Sequence, residues 1–428
     1  MTSSQTSQKT PGGIVVALSS MMFLQFFIWG AWYVPVTGWL FKAGYGDLTA
    51  WVYTVCPLAA ILAPLFLGMV ADRFFPSQRV LGVMHLLGAA FMFAIPLVMP
   101  HIDPATPHTF FHPLVLLLLG HALCYMPTLG LSSAVALHHI SNPQKVFPIV
   151  RVLGTIGWIV AGLAIGNLLR GGDTSIYQFW IVAGASAALG VFSFFLPHTP
   201  PPLAGKKVSV GQVLGLDALS LLKERNYLVF VVCSLLICIP LAGYYAQARN
   251  FVEFSRFADA TSTMTIGQFS EIFFMLVMPF FFIRLGVKKM LLIGMFAWVA
   301  RYGLFALSAG DNIKWMVLIG VALHGICYDF FFVTGQIHVD KASPATIRAQ
   351  AQGFYVLITQ GVGMIIGAQL FGKLTSMYAP PAGAPAGTPP DWFHIWLWPA
   401  LFAALIAIIF LVFFREKKDE ALAPATAP

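Results

Sequence analysis

Between Ile14 and Arg415 the sequence is built of apolar runs, each long enough for a helix to cross a bilayer and each ended by proline, glycine or charge. A spanning helix takes roughly 20 apolar residues. Twelve such windows can be drawn, at about 14–40, 50–71, 79–99, 113–138, 146–169, 177–197, 227–254, 264–284, 288–309, 314–339, 348–377 and 392–415. Of the 428 residues 58% are hydrophobic and 9% charged, whereas a soluble chain carries about 25% charged residues. No soluble core could take up that much apolar surface, which excludes a water-soluble enzyme of two or three domains. The pattern predicts an all-α polytopic membrane protein.

The net charge of +8 gains meaning from where the cations fall. With the N-terminus inside, 16 Lys and Arg fall in cytoplasmic segments and six outside, with Arg151 and Arg301 within spans. Lys206, Lys207, Lys223 and Arg225 fill the central loop, and Arg284, Lys288 and Lys289 the turn after the eighth window. The positive-inside rule therefore predicts an even number of spans with both termini cytoplasmic. The expected organisation is a tail at 1–13, a six-helix bundle at 14–197, a cytoplasmic loop at 198–226, a second six-helix bundle at 227–415 and a tail at 416–428. The Pro/Gly/Ala-rich stretch 379–392 reads as a flexible outer loop. No basic cluster with interleaved aromatics suggests nucleic acid. The five cysteines all sit in apolar runs at no metal-ligand or disulfide spacing.

The two halves repeat. His121, Cys124 and Tyr125 recur as His324, Cys327 and Tyr328, and Gly162/Gly166 recurs as Gly363/Gly367. These matches fall at equivalent places in two six-span halves, as parallel transporter repeats would place them. The glycine pairs read equally as sites of close helix packing.

Of sixteen acidic residues only Glu271 and Asp329 lie well inside spans. An intramembrane carboxylate is costly unless paired, hydrated or protonated, so both are candidates for proton or substrate work, with a permanent ion pair to Arg301 as the structural alternative. Gln268 and Glu271 share one helical face, His324 and Tyr328 share another, and Asp329 follows about 100° around. Arg151, Thr155 and Trp158 form a polar-aromatic stripe at i, i+4, i+7, and Gln25, Trp29 and Trp32 repeat that spacing. Donors, acceptors and flat rings at membrane depth suit a polar, partly planar solute. Competing roles are snorkelling for Arg151, an interfacial belt for Trp32, and packing for His85 and His121. No Walker loop, metalloprotease, nucleophile-elbow or Cys/His metal pattern occurs, so neither an enzyme, a metal nor a cofactor is expected beyond protons as the coupling ion.

Several stretches carry a family resemblance. Gly68, Asp72 and Arg73 in GMVADR resemble the gating signature of major facilitators. FLQFFIWGAWYVP (23–35), YMPTLGL (125–131), VRVLGTIGW (150–158), QFSEIFF (268–274) and YDFFFVTG (328–335) resemble the bacterial nucleoside:proton symporter family of that superfamily, nearly throughout the chain. The resemblance implies a major facilitator fold of twelve helices in two pseudo-symmetric bundles. It also implies proton-coupled nucleoside uptake by alternating access at a bacterial inner membrane, in a chain expected to act as a monomer. The family's substrate positions fall on Arg151, Thr155, Trp158, Gln268, Glu271, Tyr328 and Asp329, with Glu271 and Asp329 tied to coupling. His324 stands where the family carries tyrosine. Ala242 and Tyr245 stand where it carries amides, a departure that keeps other polar solutes (a sugar, glycoside or modified nucleoside) as the alternative, ahead of an efflux antiporter.

Overall fold

The computed structural model describes residues 10–66, 74–103, 106–169, 171–201, 209–213, 216–344, 346–385 and 388–415, and contains no β-strand among them. Its principal helices are α1 (Gly12–Gly30), α2 (Thr49–Phe66), α3 (Ser77–Val98), α4 (Pro113–His139), α5 (Pro143–Leu163), α6 (Gln178–Ser193) and α7 (Arg225–Phe254). Ile266–Asp311 runs on as one helix except at Gly286, whose φ of 70° and ψ of 179° break it into α8 (266–285) and α9 (287–311). Only glycine takes such a conformation without strain. Then follow α10 (Lys314–Ala342), α11 (Gln350–Met377) and α12 (Trp392–Phe413).

Ten stretches among the described residues are long and apolar enough to cross a membrane. The twelve expected spans are met only by counting the two arms of Ile266–Asp311 separately and admitting the 16-residue α6. Three helices carry a wider π-helical turn: Ala164–Leu168 after α5, Asp329–Val333 within α10 and Leu357–Gly363 within α11.

Two compact units result, Met1–Trp39 with Leu62–Val208 (unit 1) and Leu40–Ile61 with Ser209–Pro428 (unit 2). The sequence-based division into 14–197 and 227–415 differs from this one at Leu40–Ile61, which groups with unit 2. The reason is packing onto α11. Gln369 donates to Thr54 Oγ1 at 2.8 Å, and Ala50 and Ile61 lie so close to Gly372 and Gly361 that a side chain there would collide with them.

Inside unit 1, α1 lies on α5 at backbone contact, since a Cβ on Gly157 would come within 2.2 Å of the Phe23 carbonyl. A buried hydrogen-bonded chain ties α1, α3, α4 and α6 together. The Gln25 amide nitrogen donates to Thr128 Oγ1 (2.8 Å), and Thr128 in turn donates to the Tyr125 carbonyl. The Gln25 side-chain oxygen therefore faces His85 Nε2 (3.0 Å), which carries the proton, while Nδ1 lies 3.2 Å from Ser186 Oγ. His121 Nδ1 donates to the Gly88 carbonyl at 3.0 Å. Gln25, His85 and the Nδ1 of His121 are thus taken up by helix packing.

In unit 2, α7 meets α11 through Gly367, where a Cβ would lie 2.6 Å from Ala242 Cβ and 2.7 Å from the Ile239 carbonyl. The Gly363/Gly367 pair thus serves close helix packing. Aromatic side chains fill the contact of α7, α9 and α12, with Tyr302 stacked on Trp396 at 5.8 Å and Phe305 edge-on to it at 5.1 Å.

Candidate transport site

The α5 stripe is assembled in unit 1 against α1. Arg151 holds its guanidinium 4.1 Å from the centroid of Phe26, a cation–π contact that shelters the charge within the helix packing. One turn on, Thr155 is buried, and Trp158 meets Trp29 edge-on at 5.4 Å. Trp29 also lies 5.9 Å from Tyr125, whose hydroxyl donates to the Gln25 carbonyl, so the hydrogen-bonded chain of unit 1 backs this aromatic wall. Trp32 does not belong to an interfacial belt: it is fully buried, edge-on to His121 at 6.0 Å.

Unit 2 brings α7, α8 and α10 together around two carboxylates. Glu271 and Gln268 share one face of α8 and are half-buried. Glu271 Oε2 lies 3.9 Å from His324 Nε2, beyond hydrogen-bond length but within reach of an ion pair. The His324 ring stacks on Tyr244 at 5.6 Å and 16°, stands edge-on to Tyr245 at 6.4 Å, and lies 5.9 Å from Tyr328. Its Nδ1 has no hydrogen-bond partner among the described residues. Asp329 opens the π-helical turn of α10 at 0% exposure, and neither carboxylate oxygen has a hydrogen-bond partner among the described residues. π-Helical turns of this kind concentrate at functional positions, because they re-aim side chains that a regular helix would carry past the site.

Asp329 and Arg301 do not form the ion pair that the sequence left open. Arg301 is fully buried, and its Nη1 and Nη2, like both Asp329 oxygens, are without hydrogen-bond partners among the described residues. With no hydrogen-bond partner among the described residues, the Asp329 carboxylate, which interacts with Glu271, can take up and release a proton as its surroundings change.

Ala242 and Tyr245 separate in the structure. Tyr245 joins the His324 cluster, whereas Ala242 is buried against Gly367 of α11. Only Tyr245 belongs with the candidate solute-reading residues. The sequence also passed over Gly325, next to His324. A Cβ there would lie 2.5 Å from the Ser270 carbonyl oxygen and 2.7 Å from the Glu271 nitrogen. The missing side chain lets α10 touch the α8 backbone where Glu271 projects, and a lone glycine in an apolar window gives no sign of that. The gating residues Gly68, Asp72 and Arg73 lie outside the described residues. Among the described residues no group of three His, Cys, Asp or Glu side chains is placed to hold a metal.

The sequence profile described as nucleoside H+ symporter matches residues 13–419. YegT of Escherichia coli (strain K12) is 42% identical over 419 residues, covering 95% of both chains. The nucleoside permease NupG of the same strain is 32% identical over 381 residues, covering 84% of this chain and 88% of its own. The crystal structure of the nucleoside transporter NupG superposes with a TM-score of 0.81 at 30% identity, over 94% of this chain and all of that one. The fold is thus that of major facilitator transporters. Matching profile, sequence and structure over nearly its whole length, the chain belongs to the nucleoside H+ symporter family.

Proposed function

We propose that this protein carries nucleosides into the bacterial cell by proton symport, across the inner membrane and with both termini cytoplasmic. The observation that carries the reading is the cluster of unit 2: a half-buried Glu271 facing His324, beside a wholly buried Asp329 without hydrogen-bond partners among the described residues. A carboxylate in that setting is costly to keep charged, so it accepts a proton from the outer side and neutralises the site. Tyr245, Tyr328 and His324 offer ring faces and edges to a base, and Gln268 an amide to its polar rim. In unit 1, Arg151, Thr155 and Trp158 contribute solute contacts of their own. The loaded, protonated protein turns inward, and proton and solute leave to the cytoplasm. Coupling follows because the carboxylates hold the proton more tightly in one state than in the other. Glu271, next to the imidazole, is the first choice for the proton-linked group, and Asp329 the second.

The test is uptake into transport-deficient cells of labelled purine and pyrimidine nucleosides and of sugars, with and without a protonophore. Accumulation of a nucleoside that the protonophore abolishes is the expected result. Accumulation of a sugar alone would move the function to the alternative solute, and uptake indifferent to the protonophore would remove the proton coupling.

A further inference from the structure

Arg301 of α9 is a cation wholly enclosed in unit 2, at 0% exposure. Its Nε donates to the Gly320 carbonyl of α10 at 3.0 Å, and its Cζ lies 4.1 Å from the centroid of the Tyr244 ring. Nη1 and Nη2 have no hydrogen-bond partner among the described residues. A guanidinium keeps its charge even when buried. The Tyr302 hydroxyl interacts with the guanidinium as well, but uncharged partners of this kind do not by themselves offset the loss of its hydration, which a carboxylate within electrostatic range would help to balance.

A carboxylate, Glu271, stands on the other side of an aromatic layer. The guanidinium lies on Tyr244, Tyr244 stacks on His324, and His324 Nε2 faces Glu271 at 3.9 Å. The groups around Arg301 are Tyr302 on α9, Tyr244 and Tyr245 on α7, and His324 and Cys327 on α10; α12 contributes the uncharged ring of Trp396 against Tyr302. Around Glu271 on α8 stand Tyr245 on α7 and His324 and Asp329 on α10. Tyr245 interacts with both charges.

We propose that Arg301 is a positioning residue of the transport site: a fixed counter-charge, set behind the Tyr244–His324 stack, that governs the outside pH at which Glu271 loads its proton and holds the imidazole where the solute meets it. The proposal rests on Glu271 as the proton-linked group. While Glu271 is ionised, the cation and the carboxylate balance across the aromatic layer. Once it is protonated, Arg301 is left without its counter-charge, and the unit gains a reason to change state that an apolar residue at 301 would not supply. The planar guanidinium also fixes the Tyr244 ring, and through it the angle at which His324 is presented.

The experiment compares Arg301→Gln and Arg301→Lys, each in the wild-type and the Glu271→Gln background. The readouts are the outside pH of half-maximal uptake of labelled uridine or adenosine, KM, and the melting temperature of the purified protein. Removing a cation near a carboxylate favours its protonated form. Arg301→Gln should therefore raise the half-maximal pH by about one unit and raise KM by about tenfold, with normal amounts in the membrane. Arg301→Lys should restore the pH value but not KM, because an ammonium has no flat face to stack on Tyr244. Melting reports the coupling independently: Arg301→Gln should lower the midpoint strongly beside an ionisable Glu271 and less in the Glu271→Gln background. Unchanged pH value and KM in a membrane-inserted Arg301→Gln, or equal melting losses in both backgrounds, would overturn the proposal. Should Arg301→Gln fail to accumulate, its recovery in the double variant supports the coupling, and a double variant equally absent refutes it. A wild-type protein that takes up neither nucleoside brings down the proposed function, while the melting cycle still decides the part played by Arg301.

Discussion

The same short pattern, His-x-x-Cys-Tyr, occurs on α4 and α10, and the two copies are put to different ends. On α4, His121 stacks on Tyr125 at 5.7 Å, and its Nδ1 is spent on the Gly88 carbonyl. Tyr125 likewise donates to the Gln25 carbonyl. On α10, His324 stacks on Tyr244 of another helix and turns Nε2 toward Glu271. A duplicated motif thus supplies helix packing in one half and a polar cluster in the other. What separates them is the neighbouring helix: α3 offers a backbone carbonyl, and α8 offers a carboxylate.

The comparison breaks most severely at that carboxylate. Glu271→Gln should abolish accumulation of nucleoside against its gradient while leaving exchange of labelled for unlabelled nucleoside intact; exchange lost along with accumulation would show that Glu271 holds the fold or the solute rather than the proton. Next comes the glycine that makes the approach to α8 possible. Gly325→Ala forces α10 away from the Ser270 carbonyl, which should cost about 1–3 kcal/mol of stability and most of the transport rate, read by melting of purified protein and by initial uptake. A smaller effect is expected from His324→Phe, which keeps the stack and removes the nitrogens: KM should rise about tenfold, about 1.4 kcal/mol of binding, with membrane insertion unchanged. At position 245, Tyr245→Asn should change the ratio of purine to pyrimidine uptake, whereas Ala242→Gln should only destabilise, because its side chain would run into α11. The smallest change belongs to the other copy of the motif. His121→Phe should leave KM and pH dependence as they are and lower stability by about 1 kcal/mol, through the lost bond to Gly88. A shift in KM there as large as at His324 would erase the distinction between the two copies.

The apolar windows placed the spanning helices well, because hydrophobic length is what a bilayer imposes on a chain. The carboxylates were legible for the related reason that charge at membrane depth is rarely accidental, and Glu271 and His324 do come together in unit 2. Periodicity could not reveal what lies opposite a face. Gln25 repeats the spacing of a solute-facing stripe, yet its amide is used up by Thr128 and His85. Ala242 and Tyr245 are three apart on α7, close enough to read as one face, but one packs on Gly367 and the other on His324. The grouping of Leu40–Ile61 with unit 2 was equally hidden. It depends on the fit of Ala50, Thr54 and Ile61 to α11, where Thr54 meets a residue 315 positions further along the chain.

A helix that crosses lipid must keep its backbone amides bonded at every moment, so it cannot bend by simply coming apart. The wide turn at Asp329–Val333 offers another way to move. It stores one surplus residue inside an otherwise continuous hydrogen-bonded rod. If that surplus slides along α10, the side chains it passes swing by about 100°, one residue's worth of helical rotation, and the ends of the rod stay where they were. Asp329 sits at the mouth of this slip joint. A rotation there would carry the carboxylate from one set of neighbours to another with no segment unfolding and no strand of backbone bared to the bilayer.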